Sequence, residues 1–295
     1  MKRAAHAPLE ETAHWDSSGT LHRVASRPFG PVGGREATME KSGAAVWEAG
    51  KRALWDLSEV RRVNASLFPR NLPRLSNLAY AGVCLETSEA GGDYYDFFDF
   101  GADKMAVAVG DVSGKGIAPA LVRATLQAGL RTLWLAGFRD LRTMLRHVNR
   151  LLLESTPESI YATLFLGVYD GGKRRLEFVN CGHPPPILAS RSGFVRLGAT
   201  ATVLGFFKDW ECAPGEARLE SGETLLAYTD GATETSNDRG VEFGPGRLEE
   251  LLACSGQMPV SALLRKGVES LRAFGGESLQ DDLTLVALRA LDPPQ

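Results

Sequence analysis

Aspartates stand where the apolar runs of this chain stop: Asp93 in Gly-Gly-Asp-Tyr-Tyr-Asp, Asp111 in Gly-Asp-Val-Ser-Gly-Lys-Gly, Asp230 in Tyr-Thr-Asp-Gly, and Asp281-Asp282 ahead of Leu-Thr-Leu. A carboxylate beside glycine at a strand end is short-stemmed, solvated and open to an approaching ion. A fold that gathers several of them builds an all-oxygen site, the donor set of hard divalent cations such as Mg²⁺ or Mn²⁺. Each motif alone is ordinary turn chemistry. Their number and their common position at strand ends carry the metal reading, and an oxygen-only site points toward phosphate-ester hydrolysis.

The bulk properties remove other classes. With 295 residues, 44% hydrophobic and 23% charged, the chain has enough apolar material for a sizeable core. A net charge of −3 gives no basic face for nucleic acid. No apolar run is long enough to span a bilayer. The basic start Met-Lys-Arg-Ala-Ala-His lacks the apolar core of a secretory signal. Cys84, Cys181, Cys212 and Cys254 are too dispersed for a disulfide frame or zinc site, so they read as reduced thiols of a cytoplasmic protein.

Residues 1–38 are polar, rich in Gly, Pro, Ser and His, and are expected to form a disordered tail. His6, His14 and His22 within it read as isolated surface residues. Residues 39–74 read as a helical linker ending at Pro69 and Pro73. Val46, Ala53, Leu57, Val60 and Leu67 share one face, widened by Trp47, Leu54 and Val63, and steps of three and four add Gly50 and Asn64. An asparagine in such a seam fixes the register of a coiled-coil homodimer; the alternative is a helix lying on its own domain.

Over residues 75–292 the pattern predicts strands at 77–86, 94–100 and 105–109, then helices opened by Pro119 and by Leu141. Short strands follow at 162–169, 175–180, 186–189, 194–197, 203–207 and 224–228. Helices at 246–254 and 260–274 precede a last strand at 283–288. Antiparallel strands with helices inserted in pairs, and no regular βαβ alternation, give an α+β sandwich.

Seven segments in order carry a family resemblance: Glu-Ala-Gly-Gly-Asp-Tyr-Tyr-Asp-Phe-Phe (89–98), Val-Gly-Asp-Val-Ser-Gly-Lys-Gly (109–116), Tyr-Ala-Thr-Leu-Phe (161–165), Asn-Cys-Gly-His-Pro-Pro-Pro (180–186), Tyr-Thr-Asp-Gly-Ala-Thr-Glu (228–234), Phe-Gly-Pro-Gly-Arg-Leu (243–248) and Asp-Asp-Leu-Thr-Leu (281–285). With them the chain resembles the SpoIIE-like, RsbU-type bacterial branch of the metal-dependent PPM serine/threonine phosphatases, the protein phosphatase 2C superfamily. Residues 61–69 also resemble the helix that precedes this domain in the family.

The resemblance implies an α/β/β/α sandwich with two divalent cations, Mn²⁺ or Mg²⁺, at one end of two antiparallel sheets. By position Asp111 would bridge the ions and the Val112 carbonyl would add a ligand. Asp93 would serve the second ion, and Asp230 and Asp281 the first, while Asp282 has no assigned role. Asp93 and Asp111 would act catalytically through metal-bound water. Family membership further implies a phosphoserine or phosphothreonine substrate on a STAS-domain protein of the anti-anti-sigma type, under the control of a regulatory activator, the N-terminal helix or oligomerisation.

Such chemistry suits these residues. Phosphate monoesters hydrolyse extremely slowly unaided, and two ions about 3.5–4 Å apart activate water and neutralise phosphoryl oxygens during in-line attack. Ser113 stands where eukaryotic relatives carry the histidine thought to protonate the leaving group, so the general acid is unassigned and solvent is one candidate. The arginine that binds phosphate in some eukaryotic members has no counterpart here.

Asp96 reads as an exposed strand residue, His183 as a loop histidine with its hydrogen bonds satisfied, and His147 as structural. A nucleotide-binding loop is excluded because only Asp111, Val112 and Ser113 separate Gly110 from Gly114, and Gly116 follows Lys115. Gly91-Gly92-Asp93 is a poor match to a cyclic-dinucleotide synthase, since Tyr94-Tyr95 follows. The rival of another class is a catalytically silent phosphatase-like domain acting as a binding module. The full set of carboxylates argues against it.

Overall fold

A computed structural model describes residues 11–15, 21–25, 58–69, 72–87, 90–101, 103–256, 258–276 and 279–292. Within the expected tail, β1 (Glu11–Trp15) and β2 (Leu21–Ala25) pair antiparallel; the rest of residues 1–38, with His6, lies outside the described residues. Of the expected linker helix, α1 covers 58–66, and residues 39–57 also lie outside the described residues.

Two five-stranded antiparallel sheets follow from apolar alternation. The first, in the order β10-β7-β6-β5-β4, contains β4 (Tyr94–Gly101), β5 (Lys104–Val112), β6 (Ala162–Asp170), β7 (Arg175–Cys181) and β10 (Gly215–Arg218). The second, β3-β12-β11-β8-β9, contains β3 (Leu78–Leu85), β8 (Ile187–Ser190), β9 (Gly193–Arg196), β11 (Thr224–Tyr228) and β12 (Leu283–Ala290). In β5, Met105, Val107 and Val109 join Leu225, Ala227, Val286 and Leu288 in the core between the sheets. Ala106 and Ala108 of the same strand face outward, toward Val122, Leu126, Met144 and Val148.

Those last residues belong to α2 (Ile117–Leu135) and α3 (Leu141–Ser155), which cover the first sheet. The Asp140 carboxylate caps α3 by accepting from the Thr143 N–H at 2.7 Å. On the other flank, α5 (Gly244–Ala253) and α6 (Val260–Gly275) bury Leu248, Leu263, Leu264 and Leu271 against Leu226, Leu285 and Ala287 of the second sheet. A short helix, α4 (Asp230–Glu234), leaves the end of β11. The layers are therefore α/β/β/α, as expected. Among the described residues no helix is long and apolar enough to cross a membrane.

The structure corrects several local expectations. Residues 203–207 form no strand; Leu204 makes a single bridge to Ala162 and the chain then turns outward. The helical seam at Asn64 closes inside the chain. Asn64 is buried, its amide donates to the Glu86 carboxylate, and its carbonyl accepts from Arg123 at 3.1 Å. Among the described residues all four cysteines are free, with Cys84, Cys181 and Cys212 buried and Cys254 exposed.

Candidate metal centre

Strand pairing brings the aspartates to one end of the sandwich. Asp93 immediately precedes β4, whose first residue, Tyr94, pairs with Gly110, so Asp93 and Asp111 sit side by side at the end of the β4–β5 ladder. Asp230 opens α4 just after β11, and Asp281 and Asp282 lead into β12, the strand paired with β11 through Tyr228 and Leu285. Two polar contacts join the sheets here. The Thr229 hydroxyl donates to Asp93 Oδ2 at 2.8 Å. The Gly92 N–H donates to Asp282 Oδ2 at 3.2 Å, and Asp282 Oδ1 accepts from the Thr87 N–H at 2.7 Å and its hydroxyl at 3.0 Å. Asp282 thus fastens the Gly-Gly-Asp turn through Oδ2 and the chain just after β3 through Oδ1, which gives that residue a structural role.

The missing side chain of Gly92 makes a cradle. A Cβ there would stand 2.7 Å from the Val112 carbonyl oxygen and 3.1 Å from Asp111 Oδ1, so both oxygens open onto the backbone next to Asp93. A Cβ on Gly91 would fall 2.2 Å from Asp282 Oδ2, and one on Gly231 2.0 Å from the Asp282 carbonyl. These glycines are needed because their backbone must approach a carboxylate or a carbonyl closely. A carbonyl and a carboxylate oxygen sharing one small cradle fit a hard cation.

Charge repulsion at this end is severe. Burial, then the neighbouring charges of Asp111 and Asp282, hold the Asp93 carboxyl well above the usual range. Burial, then Asp230, Asp281 and Asp282, push Asp111 up to about 7. Asp230 is raised by burial and by Asp281. Like charges that raise one another are what a bound cation relieves. The Lys115 ammonium meets Asp281 Oδ2 at 3.0 Å on the exposed rim. Among the described residues no three His, Cys, Asp or Glu side chains already stand in metal-holding geometry. Asp93, Asp281 and Asp282 instead turn to Thr229, Lys115 and the Gly-Gly turn.

Other expectations are corrected. Asp96 is fully buried, not exposed, and its oxygens accept from Arg131 Nε and Nη2, each at 2.8 Å. That ion pair takes it away from the site. His183 is buried, with Nδ1 2.9 Å from the Thr163 hydroxyl and the ring also held by the Tyr228 backbone, in keeping with a histidine whose hydrogen bonds are satisfied. Desolvation lowers its pKa to about 3, so the ring is neutral. His147 is exposed on α3, edge-on to Phe138. Ser113 ends the ladder: its N–H donates to the Tyr161 carbonyl at 2.9 Å and its hydroxyl accepts from the Tyr161 N–H at 3.0 Å.

Sequence reasoning missed Glu86 and Arg123. Arg123 Nη1 donates to the Asp93 carbonyl at 2.9 Å and to Glu86 at 3.2 Å, and Glu86 also accepts from the Gly91 N–H at 3.1 Å. A lone arginine on the apolar face of α2, beside Val122 and Leu126, was the available signal.

Residues 101–291 match the SpoIIE (Stage II sporulation protein E) family. The chain belongs to that family. This SpoIIE-family chain is 27% identical over 232 residues to phosphoserine phosphatase RsbU of Bacillus subtilis (strain 168), covering 77% of this chain and 68% of RsbU. Protein IcfG of Synechocystis sp. is 26% identical over 79% of the chain, which spans only 41% of IcfG. Among solved structures, the SiaA-PP2C domain of Pseudomonas aeruginosa superposes with a TM-score of 0.71 at 21% identity, covering 82% of this chain and 98% of that one. Two more distant structures sharing the PP2C fold hold metal. RsbX was solved with magnesium (TM-score 0.57, 16% identity, covering 75% and 98%). The catalytic domain of the phosphatase PstP was solved with 2 manganese ions (TM-score 0.55, 18% identity, covering 73% and 99%).

Proposed function

We propose that this SpoIIE-family chain is a metal-dependent phosphoprotein phosphatase that hydrolyses phosphoserine or phosphothreonine. The observation that carries this reading is the Gly92 cradle, where Asp111 Oδ1 and the Val112 carbonyl face one another's space beside buried Asp93. Asp93, Asp111, the Val112 carbonyl, Asp230 and Asp281 would hold two divalent cations, Mn²⁺ or Mg²⁺. The ions would supply Lewis acidity toward the phosphoryl group and a nucleophilic water at neutral pH.

The chain's own residues prepare that end of the sandwich. Thr229 orients the Asp93 carboxylate by its 2.8 Å hydrogen bond. Asp282 holds the Gly91-Gly92 backbone against the second sheet. Glu86 and Arg123 fix the chain on either side of Asp93 by bonds to the Gly91 N–H and the Asp93 carbonyl. Lys115, whose ammonium lies on the rim beside Asp281, is the cation placed to meet phosphate oxygens. The Ser113 hydroxyl accepts from the Tyr161 N–H, and solvent would protonate the leaving group.

In the finer reading, the substrate is a phosphorylated STAS-domain protein of the anti-anti-sigma type, an activator controls turnover, and two copies join through the N-terminal helical segment expected at 39–74. Kinship to the phosphoserine phosphatase RsbU supports the phosphoserine part of this reading. The test is release of phosphate from phosphorylated STAS proteins in Mn²⁺, beside calorimetric titration with Mn²⁺ alone. Partner binding without turnover at any Mn²⁺ concentration would favour the silent binding module.

A further inference from the structure

The expected strand at 203–207 fails for a reason that matters outside the metal centre. Asn149 of α3 is buried and uses both ends of its amide on this loop: Oδ1 accepts from the Gly205 N–H at 2.8 Å, and Nδ2 donates to the Phe207 carbonyl at 2.9 Å. Gly205 takes φ +81°, a left-handed conformation suited to glycine. The clamp turns Phe206 and Phe207 out into solvent, where they are 50% and 46% exposed, packed edge-to-face on each other with centroids 4.9 Å apart. Tyr161, itself 36% exposed, adds a third ring 6.0 Å from Phe206.

This aromatic group is continuous with the acid site. Asp111 pairs with Thr163, Val112 pairs with Ala162, and Ser113 is hydrogen-bonded to Tyr161 in both directions. Two residues of extended chain separate Tyr161 from Thr163, about 7 Å. Three neighbouring aromatics left in water beside the acid site, two of them on a loop held by a buried amide, have the make-up of a preorganised recognition surface. The neighbouring carboxylates repel an acidic ligand, so the complementary partner is apolar apart from its phosphate.

We propose that Tyr161, Phe206 and Phe207 form a docking platform for apolar side chains flanking the phosphorylated residue of the protein substrate. The proposal rests on the phosphatase reading. It gives that site a sequence preference: phosphoserine next to leucine-type side chains is favoured over phosphoserine in a polar or acidic setting. Binding energy gathered on the rings, away from the reacting phosphorus, raises kcat/KM for extended substrates and adds nothing for a small ester.

The test uses the full chain with Mn²⁺ and three probes: p-nitrophenyl phosphate, a phosphoserine peptide with leucines on both sides, and the same peptide with glycines there. The wild-type chain is expected to favour the leucine peptide by about tenfold in kcat/KM. Phe206→Ser combined with Phe207→Ser should remove that preference and leave p-nitrophenyl phosphate turnover unchanged. Circular dichroism and light scattering on the same samples check fold and mass. No preference in the wild type, or a preference that survives in the variant, overturns the platform. So does a parallel loss on all three probes, or a drop from dimer to monomer with the preference intact. Absence of any p-nitrophenyl phosphate turnover in the wild type would instead remove the phosphatase reading, and the platform with it.

Discussion

Asp111 is held protonated up to about pH 7 in the folded chain, against an ordinary carboxyl value of 3.8. Between those limits the unfolded chain binds fewer protons than the folded one, so without metal the stability falls as pH rises through this window. Thermal melts of metal-free protein should show a midpoint that declines from about pH 5 to about pH 7 and then levels off. Because a cation needs the deprotonated carboxylate, added Mn²⁺ should raise the midpoint more at about pH 8 than at about pH 5.5. Asp111→Asn should abolish Mn²⁺-dependent hydrolysis while leaving the metal-free melt at neutral pH unchanged or higher, since a repelled carboxylate has gone. Retained hydrolysis of a phosphoserine substrate would refute the role of Asp111. Gly92→Ala should also lose activity, because its methyl group would press on the Val112 carbonyl at 2.7 Å, with destabilisation of about 1–3 kcal/mol readable by urea titration. Strand-end aspartates beside glycine were legible from sequence because their signal is local. Asp96 was not: its partner Arg131 lies 35 residues away on a helix, and only the fold brings them together.

Among the elements, α1 and the loop after Leu204 departed most from a pattern-based reading. The seam residues of α1 follow a helical period that fits a coiled coil and a domain-packed helix equally well. Asn64 decides between them only through Glu86 and Arg123, which lie far along the chain. The 203–207 run is β-rich in composition, yet the Asn149 clamp overrides that tendency. Glu86 and Arg123 form a fully buried ion pair, and burial raises the Glu86 carboxyl while Arg123 lowers it. Arg123→Met should therefore destabilise by about 3–5 kcal/mol in urea titration, because the buried Glu86 carboxylate loses its ion-pair partner. Glu86→Gln combined with Arg123→Met should cost less than Arg123→Met alone. A double variant as unstable as the single one would mean that the arginine acts through packing on Phe68, over whose ring it lies at 4.8 Å.

At the scale of the whole molecule, the four layers were readable because alternation, helix pairing and turn glycines all agree on them. Contacts run across the expected boundary at residue 75. Gln127 donates to the Leu67 carbonyl, and Phe68 and Leu72 pack on the core between the sheets, so the chain from 58 onward is part of the folded unit. Removing residues 1–57 takes away β2, which lies against β3, so the melting midpoint should fall slightly, and light scattering would report whether two copies have parted. Removing residues 1–68 should lower the midpoint by several degrees through the loss of this packing. The aspartates of the site are divided between two sheets that meet there through Thr229–Asp93 and Gly92–Asp282. The site is in effect a vernier on the sandwich: a slide of one β-layer past the other by a fraction of an ångström would disperse the donors before any strand is lost. Mild urea should extinguish turnover while the far-ultraviolet spectrum still reads as native.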